Sequence, residues 1–154
     1  MTLRYWLVKS EPTTFSFDDL LAAPKRTTPW DGVRNYTARN NLREMKKGDR
    51  VLFYHSSADP TAVVGIAEVA REAYPDHTAF DPKDPHFDAK SKADAPMWFM
   101  VDIRAVERLA RPVTLTQIKA TKALANMELV RLGRLSVQSV TPEQFDTVVK
   151  LGSD

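Results

Sequence analysis

Runs of bulky apolar residues at 3–9, 50–55, 62–70, 97–106 and 134–140 set the limits on what this chain can become. Each is rich in Val, Leu, Ile, Trp or Tyr, is bounded by turn-forming residues, and reads as a β-strand. Helical patterns fall between some of the runs but do not alternate with them regularly, which points to an α+β fold. Closing the strands on one another would hide the sheet edges. The expected form is a small, mostly antiparallel β-barrel of about five to six strands with short helices in its connections.

The connections carry clear local signals. Ser16 can cap a short helix, with Asp18 and Asp19 in its favourable first turn and Leu20 and Leu21 on its buried side. Asn35 or Thr37 can open the next, where Ala38, Leu42 and Met45 share one stripe and Gly48 ends the helix. Thr114-Leu115-Thr116-Gln117 fits a capping box for a helix through Ala120, and residues 124–130 suggest another. Thr141-Pro142-Glu143-Gln144 is a second capping box, with proline at the first helical position. Pro12 stops the first strand, Pro24 and Pro29 bracket a loop, and Gly65 marks a bulge or a close approach. Residues 74–94 read as a long loop rich in Pro and Asp, and loops of that length are more often functional than idle.

The chain has 154 residues, read as one domain spanning 1–154 that can bury a core without staples. It has no cysteine, which excludes disulfides, thiolate metal sites and zinc deaminase chemistry. The cytosol is the expected compartment. The first apolar run is too short for a signal peptide or a membrane span, so no membrane role is expected. A net charge of +2 permits nucleic-acid binding without demanding it. Its distribution says more: Lys25, Arg26, Arg34, Arg39, Arg43, Lys46, Lys47 and Arg50 make the first third basic, while Asp76, Asp81, Asp84, Asp88 and Asp94 make the middle acidic. The basic cluster reads as a phosphate-facing rim or as a solvated face.

The densest chemistry lies in Trp30-Asp31-Gly32-Val33-Arg34-Asn35-Tyr36-Thr37-Ala38-Arg39-Asn40-Asn41. Aromatic rings can stack on a flat ligand, amides can read its polar edge, and guanidiniums can hold phosphate. Lys9-Ser10-Glu11-Pro12 and Tyr54-His55-Ser56 stand at strand ends and can close a pocket with it. Trp6 and Trp98 lie inside strand patterns and are expected in the core, whereas Trp30 lies in a loop and is expected to face a ligand. Asn35 can equally be an N-cap, and Arg34 and Arg39 can equally be surface pairs.

Other chemistries find less support. The glycines form no phosphate loop or dinucleotide fingerprint. Asp81, Asp84, His86 and Asp88, with Asp76 and His77 nearby, could hold a hard cation, but Pro82 and Pro85 make a proline-pinned loop the better reading. A hydrolase would use His55 with a carboxylate such as Glu11 and a nucleophile among Ser10, Ser56 and Ser136. A small-molecule or nucleoside binder also fits a polar aromatic pocket.

The motifs together resemble the EVE domain family. They are residues 5–12, 30–36 and 38–40, Gly48-Asp49, residues 53–56 and 64–67, Tyr74-Pro75-Asp76, residues 112–115 and Arg134-Leu135-Ser136-Val137. The resemblance implies a PUA-like barrel, related in shape to the YTH readers of methylated adenine. It implies a non-catalytic reader, without cofactor, of DNA or RNA carrying a modified base such as a modified cytosine, with the base extruded into a pocket. Carried over, the site comprises Lys9, Ser10, Glu11, Trp30, Gly32, Val33, Asn35, Tyr54, His55 and Ser56. Arg34 and Arg39 would hold phosphate or brace the loop, and Arg134 and Ser136 would join from the last strand. The expected protein is a monomer that leaves any downstream reaction to a separate effector protein.

Overall fold

Side chains alternate along the central strands, and both faces of the sheet carry core. Trp6, Val8, Val51 and Phe53 enter one apolar cluster, while Leu7, Leu52 and Tyr54 enter another. Such strands read as continuous apolar runs because neither face meets water. The computed structural model describes residues 2–153. Its strands are β1 (Tyr5–Ser10), β2 (Thr27–Pro29), β3 (Arg50–His55), β4 (Ala62–Pro75), β5 (Phe99–Thr114) and β6 (Val137–Val140). They form one sheet in the order β2-β5-β4-β3-β1-β6. The helices are α1 (Phe17–Ala22), α2 (Tyr36–Glu44), α3 (Leu115–Ala120), α4 (Glu128–Arg131) and α5 (Pro142–Leu151). Helices α1 and α2 cover the first cluster; α3, α4 and α5 cover the second.

The closed barrel is corrected to an open, mixed sheet. β1 and β3 run parallel, from Tyr5 opposite Arg50 to Ser10 opposite His55. Parallel neighbours need a long crossover, and residues 11–49 supply one through α1, β2 and α2. The remaining pairs are antiparallel. β2 and β6 stand at opposite ends of the sheet, and no pairing joins them among the described residues. β2 was not evident as a strand, since Thr27, Thr28 and Pro29 offer no apolar run. It forms because β5 presents a free ladder edge to it, and Pro29 is tolerated on an edge strand. Its end fixes Trp30, whose backbone N–H donates to the Val101 carbonyl at 2.7 Å.

Local signals hold well at the helix starts. Ser16 and Asp19 form a full capping box on α1, and Thr141 and Gln144 form another on α5. Asn35 caps α2 and Thr114 caps α3. Helix α2 ends before Gly48, because Met45 already turns to extended backbone; Gly48 instead serves the following turn with φ +93°. There the buried Asp49 accepts from the Trp6 indole at 3.0 Å, the Lys46 amide at 3.0 Å and the Arg4 amide at 3.1 Å.

Gly65 is both a bulge and a close approach. The β4 register shifts on either side of it, and a Cβ there would lie 2.5 Å from the Phe17 ring that seats α1. Gly65→Ala should therefore destabilise the fold by about 1–3 kcal/mol through overpacking. Urea unfolding measures it, and a midpoint equal to the parent's would show that Phe17 moves aside freely.

Candidate functional site

Asp76 builds the site. It is fully buried at the end of β4, and both of its oxygens are occupied. Oδ2 accepts from the Gly32 amide at 2.8 Å and from Arg34 Nη1 at 3.1 Å; Oδ1 accepts from the Thr78 amide at 2.8 Å and the Thr78 hydroxyl at 2.6 Å. Burial alone would raise this carboxyl, but the bonds from Thr78, Gly32 and Arg34 outweigh burial and hold it below the ordinary aspartate value. The long acidic loop is thus tied to the Trp30–Arg34 segment.

Arg34 completes the clamp. Its Nε donates to the His86 carbonyl at 3.0 Å, Nη1 to Val33 O at 2.9 Å and to Asp76, and Nη2 to Thr78 Oγ1 at 3.1 Å and His86 O at 2.6 Å. Those bonds engage every N–H of the guanidinium, so none is left for a phosphate. Gly32 sits at φ +78° with the His86 ring so near that a Cβ would approach it to 2.8 Å. Glycine is required there twice over, by backbone conformation and by space.

The clamped loop walls a cavity of about 760 Å³. Lys9, Ser10 and Glu11 line it from the end of β1, Ser56 from the end of β3, Trp30 to Arg34 from the loop, and Gly133, Arg134 and Ser136 from the approach to β6. Trp30 is only 9% exposed. Phe53 and Phe15 meet its indole in edge-on contacts, at 5.5 and 6.3 Å between centroids, so it offers a strip rather than an open ring face. Its N–H, however, is free. Trp6 and Trp98 donate to Asp49 and Asp88, whereas Trp30 Nε1 has no acceptor among the described residues and is not sealed from solvent. Buried indoles ordinarily find a partner.

Several cavity residues also hold each other. Ser10 Oγ donates to the Phe15 carbonyl at 2.5 Å, and the Ser56 amide donates to Ser10 O at 2.9 Å. Lys9 Nζ donates to Gly133 O at 2.5 Å, and burial lowers its pKa from the ordinary lysine value. Arg134 differs: it is exposed, and no acceptor or carboxylate engages its guanidinium among the described residues.

The structure separates the other sequence-derived candidates from the cavity. Asn35 caps α2 by accepting the Ala38 amide at 2.9 Å, and it borders a smaller cavity of about 380 Å³ that shares Gly133 and Arg134 with the first. Arg39 donates to the Met97 carbonyl at 3.1 Å and lies over the Tyr36 ring, itself stacked on Trp98, so it braces. Tyr54 is buried on the opposite face of the sheet. His55 Nε2 accepts the Phe17 amide at 3.1 Å, and burial lowers its pKa. That lone pair is engaged in seating α1, and His55 is not among the residues lining the cavity.

Conversely, Asp31, His86, Phe15, Thr14 and Thr28 line the cavity without having been picked out. Asp31 stands inside the motif; His86 reads in the sequence only as part of a cation cluster, and it reaches Gly32 through the long-range bonds of Asp76 and Arg34. The remaining acidic-loop groups make turns: Asp84 accepts the His86 amide, and Asp88 accepts the Lys90 amide and the Trp98 indole. No group of metal-ligating residues is assembled among the described residues, and no helix there is long and apolar enough to cross a membrane.

The EVE domain model matches residues 4–151. The chain belongs to the EVE domain family. Human thymocyte nuclear protein 1 is 46% identical over 164 residues, which cover 96% of this chain and 73% of that protein. The structure of human THYN1 in complex with 5-methylcytosine containing DNA superposes with a TM-score of 0.94 at 43% identity, covering 98% of each chain. The YTH domain of the Zygosaccharomyces rouxii MRB1 protein, solved with N6-methyladenosine RNA, shares the fold at a TM-score of 0.56 and 16% identity, covering 99% of this chain and 85% of that one. These relatives also correct the cytosolic expectation. Lack of cysteine carries no address, and EVE domain relatives from human, chicken and rat bear the name of a nuclear protein.

Asp76→Asn should cost about 2–3 kcal/mol at neutral pH, since it weakens charge-assisted bonds around a buried group. A carboxyl with a lowered folded-state pKa stabilises above the ordinary aspartate value and loses that contribution as pH falls through its own. The gap between parent and variant should therefore shrink below about pH 4. Urea unfolding across pH reads both effects, and a gap that stays constant down to low pH would refute the clamp's charge.

Proposed function

We propose that this EVE domain binds nucleic acid carrying a modified base and receives that base, turned out of its stack, in the cavity beside Trp30. The Trp30 N–H, nearly buried on the cavity wall and without an acceptor among the described residues, is the observation that carries the reading. A donor left free in a nearly buried indole awaits an acceptor, and a base edge supplies one. The cavity volume suits one nucleotide with room for water. The relative solved with 5-methylcytosine DNA supports the same class of ligand.

Roles follow from which groups are free. Trp30 donates to a base acceptor, while Ser56 and Ser136 supply hydroxyls at the rim. Val33 gives an apolar wall on which a base methyl can rest. Burying one such carbon contributes about 0.8 kcal/mol, a factor of roughly four, so the methyl alone gives modest selectivity. Arg134 faces the phosphates flanking the base, and Lys9, which spends one of its three N–H donors on Gly133 O, adds positive charge beside it; Arg34 and Arg39 hold the protein together. Lys9 and Arg134 also favour an oligonucleotide over a free nucleoside, because the charge they neutralise belongs to the backbone.

Trp30→Ala would open a core void costing about 3–5 kcal/mol, so truncation confuses binding with folding. Trp30→Phe keeps an aromatic ring in place and removes the donor together with part of the indole's volume, a smaller loss than truncation. It should weaken a 5-methylcytosine oligonucleotide by about threefold to tenfold. Fluorescence anisotropy at fixed salt reads this, and unchanged affinity would remove the indole from the site. Arg134→Ala should weaken modified and unmodified oligonucleotides alike and reduce the salt slope by about one. A loss confined to the modified oligonucleotide would place Arg134 on the base instead.

A further inference from the structure

Asp31 lines the cavity with no hydrogen bond or ion pair to its carboxylate among the described residues. Its neighbours leave it little freedom. The Trp30 amide is fixed to Val101 O at 2.7 Å, and the Gly32 amide to Asp76 Oδ2 at 2.8 Å. The stretch thus brings a donor and an acceptor to the lining of one cavity: the indole N–H of Trp30 and the carboxylate of Asp31. We infer that Asp31 reads the base edge and selects a base carrying an exocyclic amino group there, such as a modified cytosine or adenine, over one presenting a carbonyl. This rests on the proposed function and names the chemical class of base the cavity takes.

The argument is one of pairing. An ionised carboxylate accepts hydrogen bonds and cannot donate them. An amino group on cytosine C4 or adenine C6 gives it a charge-assisted bond. Thymine or uracil turns a carbonyl oxygen toward it, so two acceptors meet and neither regains the water it lost. Sites built around a polar group reject the ligand lacking its partner far more strongly than they reward an added methyl. Asp31 itself is exposed at the cavity wall; partial burial and the negative charge of Asp76 raise its pKa from the ordinary value, with His86 and His77 opposing them, and a base seated beside it would remove its remaining water. The lysine and arginines near it are directed elsewhere or to the rim: Lys9 to Gly133 and Arg34 to His86, Val33, Thr78 and Asp76.

The test compares two bases that share the C5 methyl and differ only along this edge: 5-methylcytosine and thymine. Each is placed at one position of the same single-stranded DNA oligonucleotide, and the dissociation constant is measured by anisotropy. The parent protein should prefer 5-methylcytosine by at least about tenfold. Asp31→Asn, whose amide can also donate to the thymine carbonyl, should narrow the preference to about threefold or less. Asp31→Ala should narrow it too, by losing affinity for 5-methylcytosine. The unpartnered carboxylate predicts that both variants keep the parent's melting temperature. A parent preference unaltered in both variants overturns the inference, as does equal binding of the two oligonucleotides by the parent. If those oligonucleotides bind equally but Trp30→Phe still weakens both, the cavity reading stands and only the role of Asp31 falls. If Trp30→Phe weakens neither, the cavity reading itself fails.

Discussion

The carboxylate of Asp76 organises the candidate site of this protein. It joins the end of β4 to a loop some forty residues earlier by accepting from Gly32, Arg34 and Thr78 at once. With that clamp in place, the His86 loop lies over Gly32, Trp30 is held against Phe53, and a cavity opens between the strand ends. A buried carboxylate is tolerable only when each lone pair it hides finds a donor, and here the donors come from the segments that need to be held. The candidate site and the fold around it therefore share one group. The motif arginine serves the scaffold, while the exposed guanidinium of Arg134 has no partner among the described residues.

The same division explains how much could be read from the sequence. Strand positions followed from bulk and alternation, and the capping residues Ser16, Asn35, Thr114 and Thr141 each begin the expected helix. These are local signals, each settled within a turn or a strand. Closure of the barrel was not local. Whether β2 and β6 meet depends on the parallel β1–β3 pair and on the lengths of β4 and β5, which no short window reports. β2 itself has no apolar pattern and exists through its neighbour.

The site was legible in outline and less so in its assignments. Lys9, Ser10, Glu11, Trp30, Gly32, Val33, Arg34, Ser56, Arg134 and Ser136 come together around one cavity. Residue type alone could not tell a free side chain from an engaged one. Arg34 and Arg134 are both arginines, yet among the described residues one has every donor occupied and the other has none. Tyr54 follows Phe53 in a strand, so the pleat sends it to the far face. His55, at the strand's end, turns to seat α1 through the Phe17 amide. Trp30, expected as an open stacking surface, packs edge-on against Phe53 and Phe15, and its N–H has no acceptor among the described residues.

The central claim is that a base enters beside that free indole donor. The most direct measurement is the nitrogen–proton correlation spectrum of the three tryptophan indoles during titration with a 5-methylcytosine oligonucleotide, with Trp30 assigned through its Phe variant. The account predicts that the Trp30 N–H resonance moves downfield as it gains an acceptor. The Trp6 and Trp98 resonances, already bonded to Asp49 and Asp88, should shift much less. A saturated complex in which the Trp30 resonance has not moved would contradict it.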